Sequence, residues 1–527
     1  MKKHLCISAS ACIAIFIVSS LFIQSCKKPD IPTQVTVPEY SFSSLDSNGG
    51  NWKPLLLTSN SQIAVSAPDS INSTAYQQEL ASMKSMASSL SSYQSNSIQY
   101  WGTNPLIVWE EIAQNLTAKY NLPPQPDATP DANGNYYGVP SSATPTAYPP
   151  FPFAHPPYSV RMSAYWSAAE FDALIAAWHY KYLYNRPAPY KTDKTVPTAL
   201  PQTNLPSYPS ENAVIAAVAA VILDNMFPLD SVYIDSKATE LENVSLWSGM
   251  NVQSDVSAGD ALGRAVAAVY IARSKTDGMK NAQPARLNGP HVQDSINTVA
   301  QNSFGWQWKN LETPQRPIGI APLYGSVKPW FIPSIAAIRP GPPPAVGSPA
   351  FNTAVAELQG YANSLTDGQR SIALEWNDGG GSYTPPEHWN RIAFTSIINN
   401  QLNPLRTARV FAYLNTGMMD AAISCWDTKY FYDYPRPSDA AGIKTDIGLP
   451  NFPSYSSGHA SFSWAAATVL SALFPGDAAT FSSDATDAAN SRVYARIHYR
   501  FDCDAGTQTG QTCGNAAVAV MKADGAN

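Results

Sequence analysis

The chain has 527 residues, 44% of them hydrophobic and 14% charged, with a formal net charge of −6. That is the composition of a folded globular protein and excludes a disordered one, and the length allows two or more domains with sizeable cores. A mildly acidic sequence without long basic runs argues against a nucleic-acid partner.

From the N-terminus, residues 1–26 read as a targeting segment. Lys2 and Lys3 form a positive start, an apolar run continues to about Ile23, and Ile23-Gln24-Ser25-Cys26 follows. A small residue before a cysteine at the end of such a run resembles the bacterial lipoprotein box. The resemblance implies cleavage before Cys26, acylation of Cys26, and an exported lipoprotein at the cell envelope, periplasmic or outer-membrane associated. No later segment has 18 uninterrupted apolar residues, so the lipid is the only membrane attachment expected. Cys6 and Cys12 leave with the leader, and Cys425, Cys503 and Cys513 remain. In an oxidising compartment Cys503 and Cys513 are candidates for pairing, with Cys425 a buried thiol. Residues 27–70, rich in Ser, Asn, Pro and Thr, read as a flexible tether.

Helical periodicity begins near Ala75, in Tyr76–Ile98 and Pro105–Tyr120. Leu122–Tyr158 is rich in Pro and Tyr and reads as loop. Helices return at Ser163–Tyr184, Glu211–Met226 and Ala258–Ser274. Residues 280–350 are again Pro-rich, and the run from Arg339 to Pro344 is the natural boundary between an N-terminal helical domain, 71–345, and a C-terminal domain, 346–527. Further helices fit Ser348–Ser364, Pro385–Gln401, Arg406–Tyr432, Gly458–Leu473 and Asp484–Tyr499. In Thr384-Pro385-Pro386-Glu387 the hydroxyl suits an N-cap, Pro385 the first helical position, and Glu387 a side chain reaching back to the cap amide. Strand-like alternation is scarce, so the fold class is all-α.

The sequence also repeats itself. Leu205-Pro-Ser-Tyr-Pro-Ser-Glu-Asn-Ala213 echoes Phe452-Pro-Ser-Tyr-Ser-Ser-Gly-His-Ala460, and an Ala/Val-rich helix follows each. Upstream, Trp178, Lys181 and Arg186-Pro187 echo Trp426, Lys429 and Arg436-Pro437. Downstream, Gly263-Arg264 with Tyr270 echoes Ser491-Arg492 with His498. Three pieces in one order point to two homologous helical bundles. On this reading the first copy has Asn212 and Tyr270 in place of the two histidines and is a structural half.

The second copy carries three chemically loaded pieces: Lys429 with Arg436-Pro437, Ser457-Gly458-His459, and Ser491-Arg492 with His498 and Asp502. Lys429, Arg436 and Arg492 are three cations, two with planar forks suited to tetrahedral oxyanions. Ser457 and Gly458 sit where a helix begins, and free N–H groups and partial positive charge there favour an anion. His459, in the first turn, can pass protons to ligand oxygens. His498 and Asp502 are four apart on one expected helix face. The carboxylate can fix the proton on one ring nitrogen and leave the other as a lone-pair donor.

This ordered set resembles the signature shared by vanadium haloperoxidases and type-2 phosphatidic acid phosphatases. The resemblance spans residues 429–502 and extends through the first copy to about residue 160. It implies that Lys429, Arg436, Ser457, Gly458 and Arg492 bind the oxygens of vanadate or phosphate. It implies that His498 ligates vanadium or attacks phosphorus, and that His459 is the acid–base group. Trp376-Asn-Asp378-Gly, His498-Tyr-Arg-Phe-Asp502, Phe452-Pro-Ser-Tyr455 and Trp426 look like haloperoxidase segments. They make Asp378 a candidate for tuning a catalytic cation or histidine, although Asn377-Asp378-Gly379 also reads as a plain loop turn. The expected substrates are hydrogen peroxide and halide at a vanadate cofactor, or a phosphate ester in an acid phosphatase. Two positions depart from the pattern: Arg496 stands where a glycine is frequent, and Ser456 where a proline is common. Arg496 is expected to crowd the pocket or add a fourth cation.

Overall fold

The computed structural model describes residue 42 and residues 44–102, 104–121, 155–284, 289–311 and 319–526. The leader, Cys26, most of the expected tether and residues 122–154 lie outside the described residues.

Apolar residues recurring at helical spacing, without alternation, give helices and no strand among the described residues. They are α1 (Thr74–Ala87), α2 (Ser92–Trp101), α3 (Pro105–Tyr120), α4 (Pro156–Tyr184), α5 (Glu211–Met226), α6 (Ser231–Trp247), α7 (Gln253–Ser274), α8 (Gly289–Phe304), α9 (Pro349–Ser364), α10 (Asp367–Glu375), α11 (Thr384–Asn399), α12 (Pro404–Tyr432), α13 (Gly458–Leu473), α14 (Ala478–Tyr494) and α15 (Arg500–Met521). Among the described residues no helix is long and apolar enough to cross a membrane.

Two bundles of the same construction share one apolar core. The matched helices have equal lengths: 29 residues in α4 and α12, 16 in α5 and α13, 17 in α6 and α14, and 22 in α7 and α15. Each long helix carries a buried aspartate that gathers three consecutive backbone amides. Asp172 accepts from Leu55, Leu56 and Leu57 at 2.6–2.9 Å, and Asp420 accepts from Trp330, Phe331 and Ile332 at 2.7–3.1 Å. Each bundle also brings its last helix against its Ala-rich helix at glycines. A Cβ on Gly263 would meet the Val214 carbonyl at 2.6 Å, and one on Gly510 the Ser461 carbonyl at 2.4 Å.

Several sequence expectations are corrected. Residues 44–57 do not hang free: Trp52 and Leu57 are buried, and the Asp172 bonds hold the segment on α4. The helix expected over Tyr76–Ile98 breaks in two at Ser91, whose hydroxyl and amide form a capping box with Gln94. α6, α8 and α10 were hidden by polar or Pro-rich surroundings. Thr384 is not a hydroxyl cap. It sits at φ +76 and bonds Ser159 Oγ at 2.7 Å, while Glu387 is fully buried against Ser163, Asn390 and the α3 carboxyl of Glu110. Burial and the neighbouring carboxyl push Glu110 well above the ordinary range, so this pair keeps a proton. The helix expected over Asp484–Tyr499 starts at Ala478 and stops at Tyr494, because Arg496 takes a left-handed φ of +60. Cys425, Cys503 and Cys513 are all buried and unpaired. Cys503 and Cys513 lie on one helix, roughly 15 Å apart along its axis, beyond disulfide reach.

Candidate active site

The site grows from helix ends, where backbone groups lack intrahelical partners. Ser457 caps α13, its hydroxyl accepting from the Ala460 amide, so the first-turn amides of Gly458 and His459 are left open. Lys429, in the last turn of α12, donates to the Pro453 carbonyl at 2.8 Å and the Ser454 carbonyl at 3.0 Å, fixing the strap that leads into α13. Arg436 donates to the Phe452 carbonyl at 3.0 Å and to the Ile497 carbonyl at 2.8 Å. Arg492, in the last turn of α14, donates to Ser491 Oγ at 2.8 Å and to the Trp376 carbonyl. The Phe452 ring forms a wall, with Lys429 Nζ 5.0 Å and the Arg436 guanidinium 5.3 Å from its centroid.

His498 is not on a helix but in the turn before α15, and Asp502 is in that helix's first turn. The pair meets nonetheless, with His498 Nδ1 2.9 Å from Asp502 Oδ2. Ser454 Oγ at 2.5 Å and the Tyr499 amide at 3.1 Å also donate to that oxygen, which holds the carboxylate in place. Nδ1–H donation to Asp502 leaves Nε2 as the lone-pair nitrogen, and Nε2 lies 3.4 Å from the Arg436 guanidinium. Burial, then Arg436 and Lys429, hold His498 well below the usual histidine range, so the ring is neutral. Burial and Arg492 do the same to His459, and His498 feels the charge of His459.

Lys429, Arg436, Arg492 and His498 are at most 2% exposed. Burial pushes the Lys429 ammonium down to about 8 and both guanidiniums down to about 10. Burial raises Asp502, although Ser454 and Lys429 oppose the shift. Three cations gathered out of water need anionic charge, and among the described residues Asp502 and Asp378 act on them to supply part of it. His459 Nε2 and Asp502 Oδ1 are buried without hydrogen-bond partners. A small oxyanion fits this donor set: forks and helix amides for its oxygens, one imidazole lone pair for its centre, and an orphaned ring nitrogen beside it.

Asp378 joins the site from its rim. It takes a left-handed φ of +42 in the segment between α10 and α11, and its charge favours the Arg492 guanidinium. Its direct partner is His388 Nδ1 at 3.1 Å, a residue that sequence reasoning missed. The available signal was a histidine one residue beyond Glu387, near the start of a helix that was already marked. Arg496 neither crowds the cup nor adds a cation. Its side chain turns outward to the Lys444 carbonyl at 2.8 Å and Asp446 at 2.5 Å. Its left-handed backbone explains why a glycine suits that position. Ser456 stands opposite Pro209 of the first copy, and both preceding peptide bonds are cis.

The first copy builds the same cup with different contents. Lys181 donates to the Pro206 carbonyl at 2.7 Å, Ser207 Oγ lies 3.2 Å from Asp255, and the Ser210 amide donates to the Asp255 carbonyl at 2.9 Å. Asn251, 3.5 Å from Asp255, therefore takes the place of His498. Ser245 takes that of Arg492: its carbonyl accepts from Met250 at 3.2 Å, as the Arg492 carbonyl accepts from Ile497 at 3.1 Å. The sequence match of Gly263-Arg264 and Tyr270 to Ser491-Arg492 and His498 is thus out of register. Gly263 matches Gly510, Arg264 pairs with Asp260 in solvent, and Tyr270 donates to the Ala168 carbonyl in the core. Glu211 stands where Gly458 stands, and its carboxylate lies 2.7 Å from Lys181 Nζ. A cavity of about 300 Å³ opens beside it, lined in part by Trp101, Asn204, Asn212 and Asn251.

Comparison with known proteins agrees with this construction. Residues 409–525 match the PAP2 superfamily. The vanadium chloroperoxidase of Curvularia inaequalis is 28% identical over 213 residues, a match covering 32% of this chain and 34% of that protein. The chain thus spans about a third of the curated relative's length. In fold, a bacterial vanadium-dependent iodoperoxidase superposes with a TM-score of 0.52 at 22% identity, covering 69% of this chain and 91% of that one. The apo form of a bacterial vanadium-dependent chloroperoxidase superposes with a TM-score of 0.50 at 14% identity, covering 70% and 94%. The cations and histidines of the second bundle's cup thus lie within the segment, residues 409–525, that is similar to the PAP2 superfamily.

Proposed function

We propose that this chain is a vanadium-dependent haloperoxidase, oxidising halide with hydrogen peroxide at vanadate held by His498. The observation that carries the reading is the closure of the cup: its three cations and His498 are almost wholly buried, which suits small inorganic reactants better than a bulky ester. The similarity to a chloroperoxidase adds support. Bound vanadate supplies Lewis-acid activation of peroxide without itself changing oxidation state. Lys429, Arg436, Arg492 and the α13 amides hold its oxygens and compensate their charge. His498 Nε2 offers its lone pair, kept available by Asp502 at Nδ1. His459 takes a proton from incoming peroxide and returns one to the departing oxygen. Lys429 would supply the ammonium that polarises bound peroxide. With Cys26 acylated, the enzyme works at the cell envelope, anchored by lipid alone.

A second reading is an acid phosphatase, favoured by the match to a superfamily named for phosphatases and by donors that suit phosphate equally. There His498 Nε2 would attack phosphorus, His459 would protonate the leaving oxygen, and water would release the phosphoryl group.

One experiment separates them. Protein loaded with orthovanadate is assayed for peroxide-dependent halogenation of a phenol, and vanadate-free protein for hydrolysis of a phenyl phosphate. Halogenation that disappears in His498→Ala is the expected result. Hydrolysis without halogenation would replace the first reading by the second, and neither activity would refute both.

A further inference from the structure

The two cups balance their charge differently, and the first one keeps a cavity. In the first bundle Lys181 Nζ lies 2.7 Å from the Glu211 carboxylate. Arg186 Nη1 lies 3.5 Å from Asp255, and Glu79 is 3.8 Å from the same guanidinium. Lys181, Arg186 and Asp255 are buried. Ser245 stands where the second cup has its third cation, so each buried cation of the first cup already has its anion. An oxyanion would meet the Glu211 carboxylate. A cation would gain little from Glu211, whose charge Lys181 already answers.

The cavity of about 300 Å³ beside Glu211 mixes amides with apolar carbon. Phe42, Leu45, Leu200 and Met250 supply the carbon. Two of its amides are engaged: Asn251 donates to the Ser207 carbonyl at 2.9 Å, and Asn104 to Thr407 Oγ1 at 2.8 Å. Two others are open. Among the described residues the Asn212 side chain takes no hydrogen-bond partner, and Asn204 is bonded only through its oxygen, to Lys191 at 2.9 Å. Asn212 holds on α5 the position that His459 holds on α13. Trp101 lines the cavity too, and its indole N–H has no partner. An open amide presents donors and an acceptor without charge, which suits a hydroxyl, since a hydroxyl does both, better than an oxyanion, which only accepts. Ligand sites combine apolar lining with a few such polar groups. A pyranose carries the complement of both, hydroxyls around a ring of C–H groups. We propose that the first cup binds a neutral pyranose sugar, with hydroxyls on Asn212 and Asn204 and ring carbons on the apolar lining. This site is independent of the reaction in the second cup.

The test is calorimetric titration of the full chain with glucose, galactose and mannose, and with tetramethylammonium as a cationic probe. The expected result is one-to-one binding of at least one sugar, weakened about three- to tenfold in Asn212→Ala or Asn204→Ala by the loss of a neutral hydrogen bond. Asn204 is exposed, so its truncation leaves the fold intact and keeps the test decisive should Asn212→Ala fail to fold. Saturating phosphate is expected to leave sugar affinity within about twofold, because it has no place in the first cup. Absence of binding by all three sugars overturns the proposal, and so does sugar binding that neither variant weakens or that phosphate abolishes. Tetramethylammonium bound in place of a sugar, and lost in Asn212→Ala, overturns the neutral ligand.

Discussion

The two cups of this protein are built by matched helices, and they differ in what answers the buried lysine. In the second bundle Lys429 donates to the Pro453 and Ser454 carbonyls, and Gly458 at the start of α13 brings no carboxylate to it. In the first, Glu211 replaces the glycine and its carboxylate pairs with Lys181 at 2.7 Å. Asn251 replaces His498 and Ser245 replaces Arg492, so the first cup lacks both the lone-pair nitrogen and one fork. A buried cation must be answered by an anion. One bundle answers it from within the chain, and the other leaves the place for a ligand.

The largest break in that comparison comes from the nucleophilic position. His498→Ala is expected to lower turnover by about a thousandfold or more, whereas Asn251→Ala changes it by less than about twofold; steady-state kinetics on both variants decides. Lys429→Ala is expected to weaken phosphate binding about 10–100-fold, the loss of a charge-assisted bond, and Lys181→Ala to leave it unchanged, as titration calorimetry will read. Glu211→Gly strips the internal partner from Lys181. It is expected to destabilise the fold by about 1–3 kcal/mol and to gain a weak second phosphate site, seen as a stability loss that added phosphate restores. No phosphate dependence in that variant would mean that the first cup has lost anion binding altogether. Glycine-to-alanine changes at Gly510 and Gly263 are each expected to cost about 1–3 kcal/mol, because both helix contacts are equally tight.

Two pH dependences sharpen the picture at smaller amplitude. Lys429 has its value lowered to about 8, so its charge is present below that pH and is lost above it. Phosphate affinity should fall by up to about tenfold per pH unit above 8, with a flatter profile in Lys429→Arg. Glu110 has its value raised by burial and by Glu387. Its contribution to stability is present in full below the unfolded value of about 4.3 and is lost as pH rises through the raised folded value. Glu110→Gln should flatten the melting temperature between pH 4 and 9.

Much of the site was legible because it is local. Lys429, Arg436 and Ser457 to His459 sit at helix ends, and helix ends have chemical signatures that survive without tertiary context. His498 and Asp502 were legible as a pair, though not the turn that holds them, because only the left-handed Arg496 shows where α14 stops. The register of the repeat failed for a different reason. Gly263 resembles a motif residue in sequence, but its glycine serves the contact between α7 and α5. Disulfide pairing failed because two cysteines ten positions apart on one helix never meet.

The amino-acid order alone determined the all-α class, the two Ala-rich helices with their caps, and the set of cations and imidazoles, since periodicity and capping act between neighbours in the chain. Only the tertiary structure decided that Asp378 and His388 come to the rim, that Arg496 leaves it, and that Glu211 closes the first cup. Those outcomes depend on which helix ends meet across the shared core, and no short-range pattern encodes that meeting.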